Sequence, residues 1–361
     1  MTPPLSRRTF LAGSTAAAAA LLTGCDPITP PTPPPNTSGT TNPSKPTTPN
    51  AGGGFSFLHL TDMHVARRRK GHLGYQTCIN EVSNLTAKPA FALMGGDLAF
   101  DGLYNAKSEF IDQIRLYKDA SDQLPFPYHN CMGNHDILGW DRNRKVQPSD
   151  PDYGKKCIMD RLEWEKPFYS FDHQGWHFTI LDCIHPITAD HGQSWEPRID
   201  DAQLEWLAHD LGRAADKPKV VMTHIALFCN IGQQNADPNA RAMSGMVIQN
   251  NRDLRHILER HNVTAVLQGH SHRAEVYQFN NIWYITSPAV SGAWWAGDFN
   301  GGAPGYTLLT THGRDLHWDM RYFNWTPHLE PADTLEKQRL EERRQFLQQQ
   351  AELAAQERTP T

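Results

Sequence analysis

The sequence predicts an α/β fold with sheet layers inside and helices around them, and three observations carry that prediction. Five short apolar runs end abruptly in polar residues: "FSFLHL" before "TDMH", "AFALM" before "GGD", "PFPYHNCM" before "GNHD", "KVVM" before "THI" and "VTAVLQ" before "GHSH". Helix-forming stretches lie between these runs. Two further segments alternate about a short polar turn and read as hairpins.

In chain order, residues 55–60 form the first strand, short enough to be buried and rich in aromatic and branched side chains. Helices are expected from "GYQTCINEVSNLTA" (74–87) and "NAKSEFIDQIRLYKDA" (105–120), on either side of the strand at 90–94. A third strand follows at 125–132. "FYSFDHQGWHFTILD" turns at Gln174 and Gly175 and reads as a hairpin with a short loop. "DDAQLEWLAHDLGRA" (200–214) and "NNRDLRHILERHN" (250–262) are helical, flanking the strand at 219–222 and preceding the one at 263–268. "AEVYQFNNIWYITS" is a second hairpin, turning at Asn280 and Asn281. Residues 333–358 form a strongly helical tail of mixed charge; its leucines hold no clean heptad, so a solvated or docked helix is expected, not a coiled coil.

The N-terminus reads differently. Arg7 and Arg8 precede an Ala-rich apolar stretch too short for a comfortable membrane span. "SRRTFL" resembles a twin-arginine export signal, and "LTGC" resembles the lipobox after which a bacterial lipoprotein is cleaved and lipidated, here at Cys25. Residues 25–54, dense in proline and threonine, cannot form a helix or bury enough apolar surface to fold, and read as an extended tether. The expected organisation is a signal at 1–24, the tether at 25–54, a catalytic domain at 55–326 and a helical tail at 327–361. The expected location is extracytoplasmic or periplasmic, on a membrane through the Cys25 anchor. Removing residues 1–24 takes the net charge from −5 to −7, and nothing basic remains to favour a nucleic-acid partner. Of the five remaining cysteines, Cys131 and Cys183 sit in apolar runs and read as small buried hydrophobes, with a disulfide as the weaker reading.

The polar strand ends collect Asp62, His64, Asp97, Asn134, His135, His224, His270 and His272. In α/β folds, residues just past strand ends gather in one crevice. A nitrogen and oxygen set without sulfur suits zinc, manganese or iron and disfavours calcium. Asp62 and His64, placed on an extended strand end, would point the same way, as would His270 and His272. One such pair means little in a chain with 18 histidines, but five elements in order at strand ends are hard to explain as packing.

The ordered set D-x-H, G-G-D, G-N-H-D, H and G-H-x-H resembles the calcineurin-like metallophosphoesterase superfamily from about Phe55 to Phe323. The resemblance implies a four-layer αββα sandwich of mixed sheets flanked by helices, with two transition-metal ions (iron, manganese or zinc) at the sheet edge. It also implies that Asp62, His64 and His272 hold one ion, that Asn134, His224 and His270 hold the other, and that Asp97 bridges both. The implied activity is hydrolysis of a small phosphodiester or phosphomonoester by a metal-bridging hydroxide. His135 would act as acid or transition-state stabiliser, with Asp136 orienting it. Phe100 and His64 depart from the purple acid phosphatase pattern and Asp136 from that of the serine/threonine phosphatases, which leaves a cyclic-nucleotide-phosphodiesterase-like branch. Ala226, where the family often has proline, weakens that placement. His72, His185, Trp294 and Trp295 follow strand-like runs and are expected to line the substrate cleft. The competing reading is a metal-bound binding or scaffold lipoprotein without turnover.

Overall fold

The structure, a computed structural model, describes residues 54–140, 145–189, 192–231, 245–298 and 302–335. Cys25, the expected export signal, the expected tether up to residue 53 and the expected helical tail beyond residue 335 lie outside them; residues 331–335 are helical. The chain divides into two units, residues 39–229 with 242–328, and residues 1–38 with 230–241 and 329–361. Everything below concerns the first.

Its strands are β1 (Ser56–Leu60), β2 (Ala92–Met94), β3 (Tyr128–Asn130), β4 (Tyr169–His173), β5 (Trp176–Ile180), β6 (Ile184–Ala189), β7 (Gly192–Pro197), β8 (Lys219–Met222), β9 (Ala265–Gln268), β10 (Glu275–Phe279), β11 (Ile282–Thr286), β12 (Gly305–His312) and β13 (Asp315–Tyr322). Its α-helices are α1 (Gly71–Ser83), α2 (Lys107–Ser121), α3 (Lys156–Arg161), α4 (Asp201–Arg213) and α5 (Asn251–Arg260). One sheet runs β13-β12-β1-β2-β3, with β1, β2 and β3 parallel; the other runs β10-β11-β9-β8-β5-β4, with its four inner strands parallel. β6 and β7 form a separate two-stranded sheet.

The pleat sorts the strand residues into two cores. Phe57, Phe91 and Leu93 of the first sheet pack with Phe178, Val220, Met222 and Leu267 of the second, and the Phe57 and Phe178 rings meet edge to face at 5.2 Å. The neighbouring residues Leu58, Ala92 and Met94 turn the other way, onto Tyr75, Ile79 and Val82 of α1 and Phe110, Ile114 and Tyr117 of α2. Val221 and Val266 likewise share a core with Leu207 and Leu211 of α4 and Leu254 and Leu258 of α5. The result is the mixed, helix-flanked pair of sheets that the sequence predicts. Phe57 is fully buried, so truncating it to alanine costs about 3–5 kcal/mol.

Both expected hairpins form at the expected residues, with Gln174, Gly175, Asn280 and Asn281 all at positive φ. Asp200 caps α4 by accepting the Gln203 N–H. Cys131 and Cys183 are free and buried. Two hairpins, β6–β7 and β12–β13, and the short helix α3 go beyond the elements read from the sequence. Among the described residues no helix is long and apolar enough to cross a membrane.

Candidate metal centre

The loops that leave β1, β2, β3, β8 and β9 converge at one end of the two sheets. Asp62, His64, Asp97, His270 and His272 all have positive φ, between 43° and 68°. This corrects one step of the sequence reading: the D-x-H and H-x-H pairs do not share a side by continuing extended strands. They converge because alternate residues enter the left-handed region, which Asp and His tolerate better than branched residues do. Backbone bonds from Asp62 N to Gly96 O (3.0 Å) and from His64 N to Asp97 O (2.9 Å) lock the loops after β1 and β2 together. Such backbone costs on the order of 1–3 kcal/mol per residue and persists where the surroundings impose it.

Two groups of side chains result. Asp62, His64 and His272 each offer an atom within 4.8 Å of the others, and so do Asp97, His224 and His270. Asp97 Oδ2 lies 3.5 Å from His64 Nε2 and 3.2 Å from His224 Nε2, so one carboxylate oxygen stands between the groups. Its partner Oδ1 accepts the His135 backbone N–H at 2.8 Å. A Cβ at Gly133 would overlap Asp97 N and Oδ1, so only glycine lets β3's loop approach this closely.

Three imidazoles are oriented through Nδ1. His64 donates to Phe100 O (3.2 Å), His224 to Gly95 O (2.8 Å) and His272 to Gly292 O. That tautomer leaves a lone pair on each Nε2. The His64 and His272 Nε2 atoms then face one another at 3.1 Å, and His224 Nε2 faces a carboxylate oxygen while making no hydrogen bond of its own. Asn134 Oδ1 is likewise buried without a hydrogen-bond partner. Converging lone pairs repel unless a cation lies among them, and buried polar atoms are otherwise nearly always paired. The donor set and its orphaned acceptors fit metal ions.

The electrostatics agree. Burial holds His64 well below its usual pKa, and burial with the His224 charge takes His270 down to about 3, so both rings are neutral donors. Burial also works against a charge on His224, yet Asp97 outweighs it and pushes that ring up to about 10. The pocket therefore demands positive charge between His224 and Asp97, which a proton or a metal ion supplies.

His135 sits in the short 3-10 turn Asn134–Asp136, its ring 5.0 Å from that of His64. Burial alone would lower its pKa, but the Asp97 and Asp101 carboxylates win and push it up to about 9. The group that orients it is Asp101, whose Oδ1 lies 3.3 Å from His135 Nδ1. The expectation for Asp136 is thereby corrected. Its two oxygens accept the N–H groups of Ala99 (3.0 Å) and Gly133 (2.9 Å), so it clamps the β2 and β3 loops together instead of reaching His135. Asp101 was missed because its own backbone role, accepting from Leu103 N and Tyr104 N, reads in sequence as an ordinary turn aspartate.

The four expected cleft residues divide. Trp294 lies stacked on His272, ring centroids 4.3 Å apart, and 5.5 Å from His64. Trp295 is fully buried, packed on α1, and is a core residue, not a cleft residue. His72 opens α1 with Nδ1 on Ala66 O, and His185 lies on β6 opposite Glu196; among the described contacts neither joins the cluster.

The family model described as calcineurin-like phosphoesterase matches residues 55–274. Three relatives are similar to the chain. One from Xenorhabdus bovienii, named "Probable cyclic nucleotide phosphodiesterase", is 24% identical over 66% of this chain and 87% of its own. A glycerophosphodiester phosphodiesterase of Enterobacter lignolyticus is 21% identical over 64% and 76%, and a serine/threonine-protein phosphatase of Mus musculus is 24% identical over 60% and 64%.

Proposed function

Since the chain belongs to the calcineurin-like phosphoesterase family, we propose that it is a dinuclear metal-dependent hydrolase of small phosphate esters, with phosphodiesters as the favoured class. The observation that carries this reading is Asp97 Oδ2, set between two groups of ligand atoms whose lone pairs converge. The names of two relatives support the diester preference.

In this reading Asp62, His64 and His272 hold one ion, Asn134, His224 and His270 the other, and Asp97 both. Two transition-metal ions (iron, manganese or zinc) so held would neutralise phosphoryl oxygens and bring the pKa of a water from 15.7 to about 7. The remaining work belongs to the chain. Asp97 holds the two half-sites in fixed relation, and its Oδ1 fixes the His135 backbone. His135, oriented by Asp101 at its Nδ1, gives its Nε2 proton to the leaving alkoxide, whose basicity otherwise makes it a poor leaving group. Trp294 walls the open side of His64 and His272 and bounds the space for the ester group.

The test is hydrolysis of an aryl phosphodiester and the matching monoester by metal-loaded protein. Metal-dependent cleavage of the diester supports the reading, and metal uptake with neither ester cleaved would favour a scaffold without turnover. The twin-arginine pair and Cys25 support export and lipid anchoring to an extracytoplasmic membrane surface. Cys25→Ser should release the protein from the membrane fraction, and unchanged membrane retention would refute the anchor.

A further inference from the structure

The two groups of ligands are supported in different ways. Asp97, His224 and His270 depend on the β2, β3 and β9 loops: His224 donates to Gly95 O, and His270 N donates to the Asp62 carboxylate. The other group shares the β2 loop, through Asp62 N on Gly96 O, His64 N on Asp97 O and His64 Nδ1 on Phe100 O, and is held in addition by a segment with no ligand of its own, Ser291–Trp295 ("SGAWW") in the loop after β11.

This segment touches all three members of that group. Ser291 N donates to Asp62 O at 3.2 Å. Gly292 O accepts from His272 Nδ1, which points that ring's Nε2 at His64. Trp295 Nε1 donates to Met63 O (2.9 Å) and His64 O (3.0 Å), and Trp294 lies flat on the His272 ring. The segment is itself fixed. Trp295 N donates to Ser291 O at 2.8 Å, and Trp294 and Trp295 both have positive φ, unusual for such large side chains.

What holds Trp295 lies on α1. A Cβ at Gly71 or Gly74 would overlap the indole, so the two glycines form a notch one helical turn long that receives the ring. Trp295 is 0% exposed. The bifurcated Nε1 bond then bears on the peptide units that carry Met63 and His64, where the backbone passes through the left-handed region. An indole that served packing alone could place its N–H on any carbonyl.

We propose that residues 291–295 are the positioning element for the Asp62/His64/His272 half-site, with Trp295 as the positioning residue, and that Asn134, His224 and His270, which make no described contact with the segment, keep their ion when it is disturbed. This rests on the dinuclear reading above. It follows that the two ions can be uncoupled by a change that alters no ligand.

The experiment is metal titration of metal-stripped full-length chain with Mn(II), following bound equivalents and the electron paramagnetic resonance signal of a coupled pair. His64→Ala identifies which binding step belongs to the half-site in question. Trp295→Phe leaves a smaller aromatic ring in the notch and removes the N–H; it should weaken that step by at least about tenfold, the size of effect seen when a ligand's supporting partner is removed, and leave the other within about twofold. The coupled signal should give way to that of an isolated ion. Gly74→Ala pushes the indole from the opposite side while favouring the helix, so it serves as the second variant should Trp295→Phe fail to fold. Unchanged binding in both steps, or equal weakening of both, overturns the proposal. Wild type taking fewer than two ions overturns the dinuclear reading instead, which separates the two failures.

Discussion

Asp101 Oδ1 lies 3.3 Å from Nδ1 of His135, and the same oxygen accepts the backbone N–H of Leu103 at 3.0 Å. The carboxylate is thus fixed by its own turn before it meets the imidazole, and it can hold a proton on His135 without moving. His135 needs that proton to act as an acid. In the metal-free protein its folded pKa of about 9 lies above the usual 6.5, so the ring is protonated below about pH 9 and neutral above it. A nuclear magnetic resonance titration of the metal-free ring should have its midpoint near that value. Asp101→Asn should move that midpoint about one unit lower, which the same titration of the variant measures directly.

His135→Ala should bind metal as wild type does and lose about 10²- to 10⁴-fold in kcat, since the ring supplies a proton and no ligand atom. Metal analysis beside steady-state kinetics checks this. Loss of metal from the variant would assign the ring to coordination instead.

Gly133→Ala should abolish metal uptake although position 133 carries no ligand. The added methyl would overlap Asp97 N and Oδ1 and displace the shared carboxylate, so both ions should be affected together. Equilibrium dialysis against zinc or manganese reads the outcome, and an alanine variant with two ions would contradict the close approach described above.

His59 should make the metal-free protein acid-sensitive. It lies fully buried in β1 with Nδ1 on Ser287 Oγ at 2.7 Å, and burial with the His224 charge takes its pKa down to about 3 from 6.5. A depressed histidine contributes stability that is fully present above the unfolded pKa of 6.5 and is lost as pH falls towards 3. Between about pH 6.5 and about pH 5 the loss is about 2 kcal/mol from this residue alone. His59→Asn, which can still meet Ser287, should flatten that slope in urea melts at the two pH values.

The convergence of the candidate ligands was legible because each follows an apolar run that ends at a loop, and strand ends in such folds share an edge. The two hairpins were legible from Gly175 and from Asn280–Asn281, whose tolerance of positive φ is local. What escaped depends on partners distant in sequence. Trp294 and Trp295 are neighbours with the same composition around them, yet one walls the centre and the other is buried. The difference is set by Gly71 and Gly74, more than two hundred residues earlier. The role expected of Asp136 falls to Asp101 for the same reason: adjacency to His135 in sequence suggested Asp136, while the fold brings Asp101 to the ring. The β6–β7 pair, with Pro186 and few branched residues, carries little strand signal.

The central claim, that one carboxylate oxygen of Asp97 joins two ion sites, is tested most directly by counting metal ions bound per chain in wild type and in Asp97→Ala, with folding checked by circular dichroism. The account predicts two ions in wild type and none retained by the folded variant. A wild type that takes at most one ion, or a variant that still holds two, would contradict it.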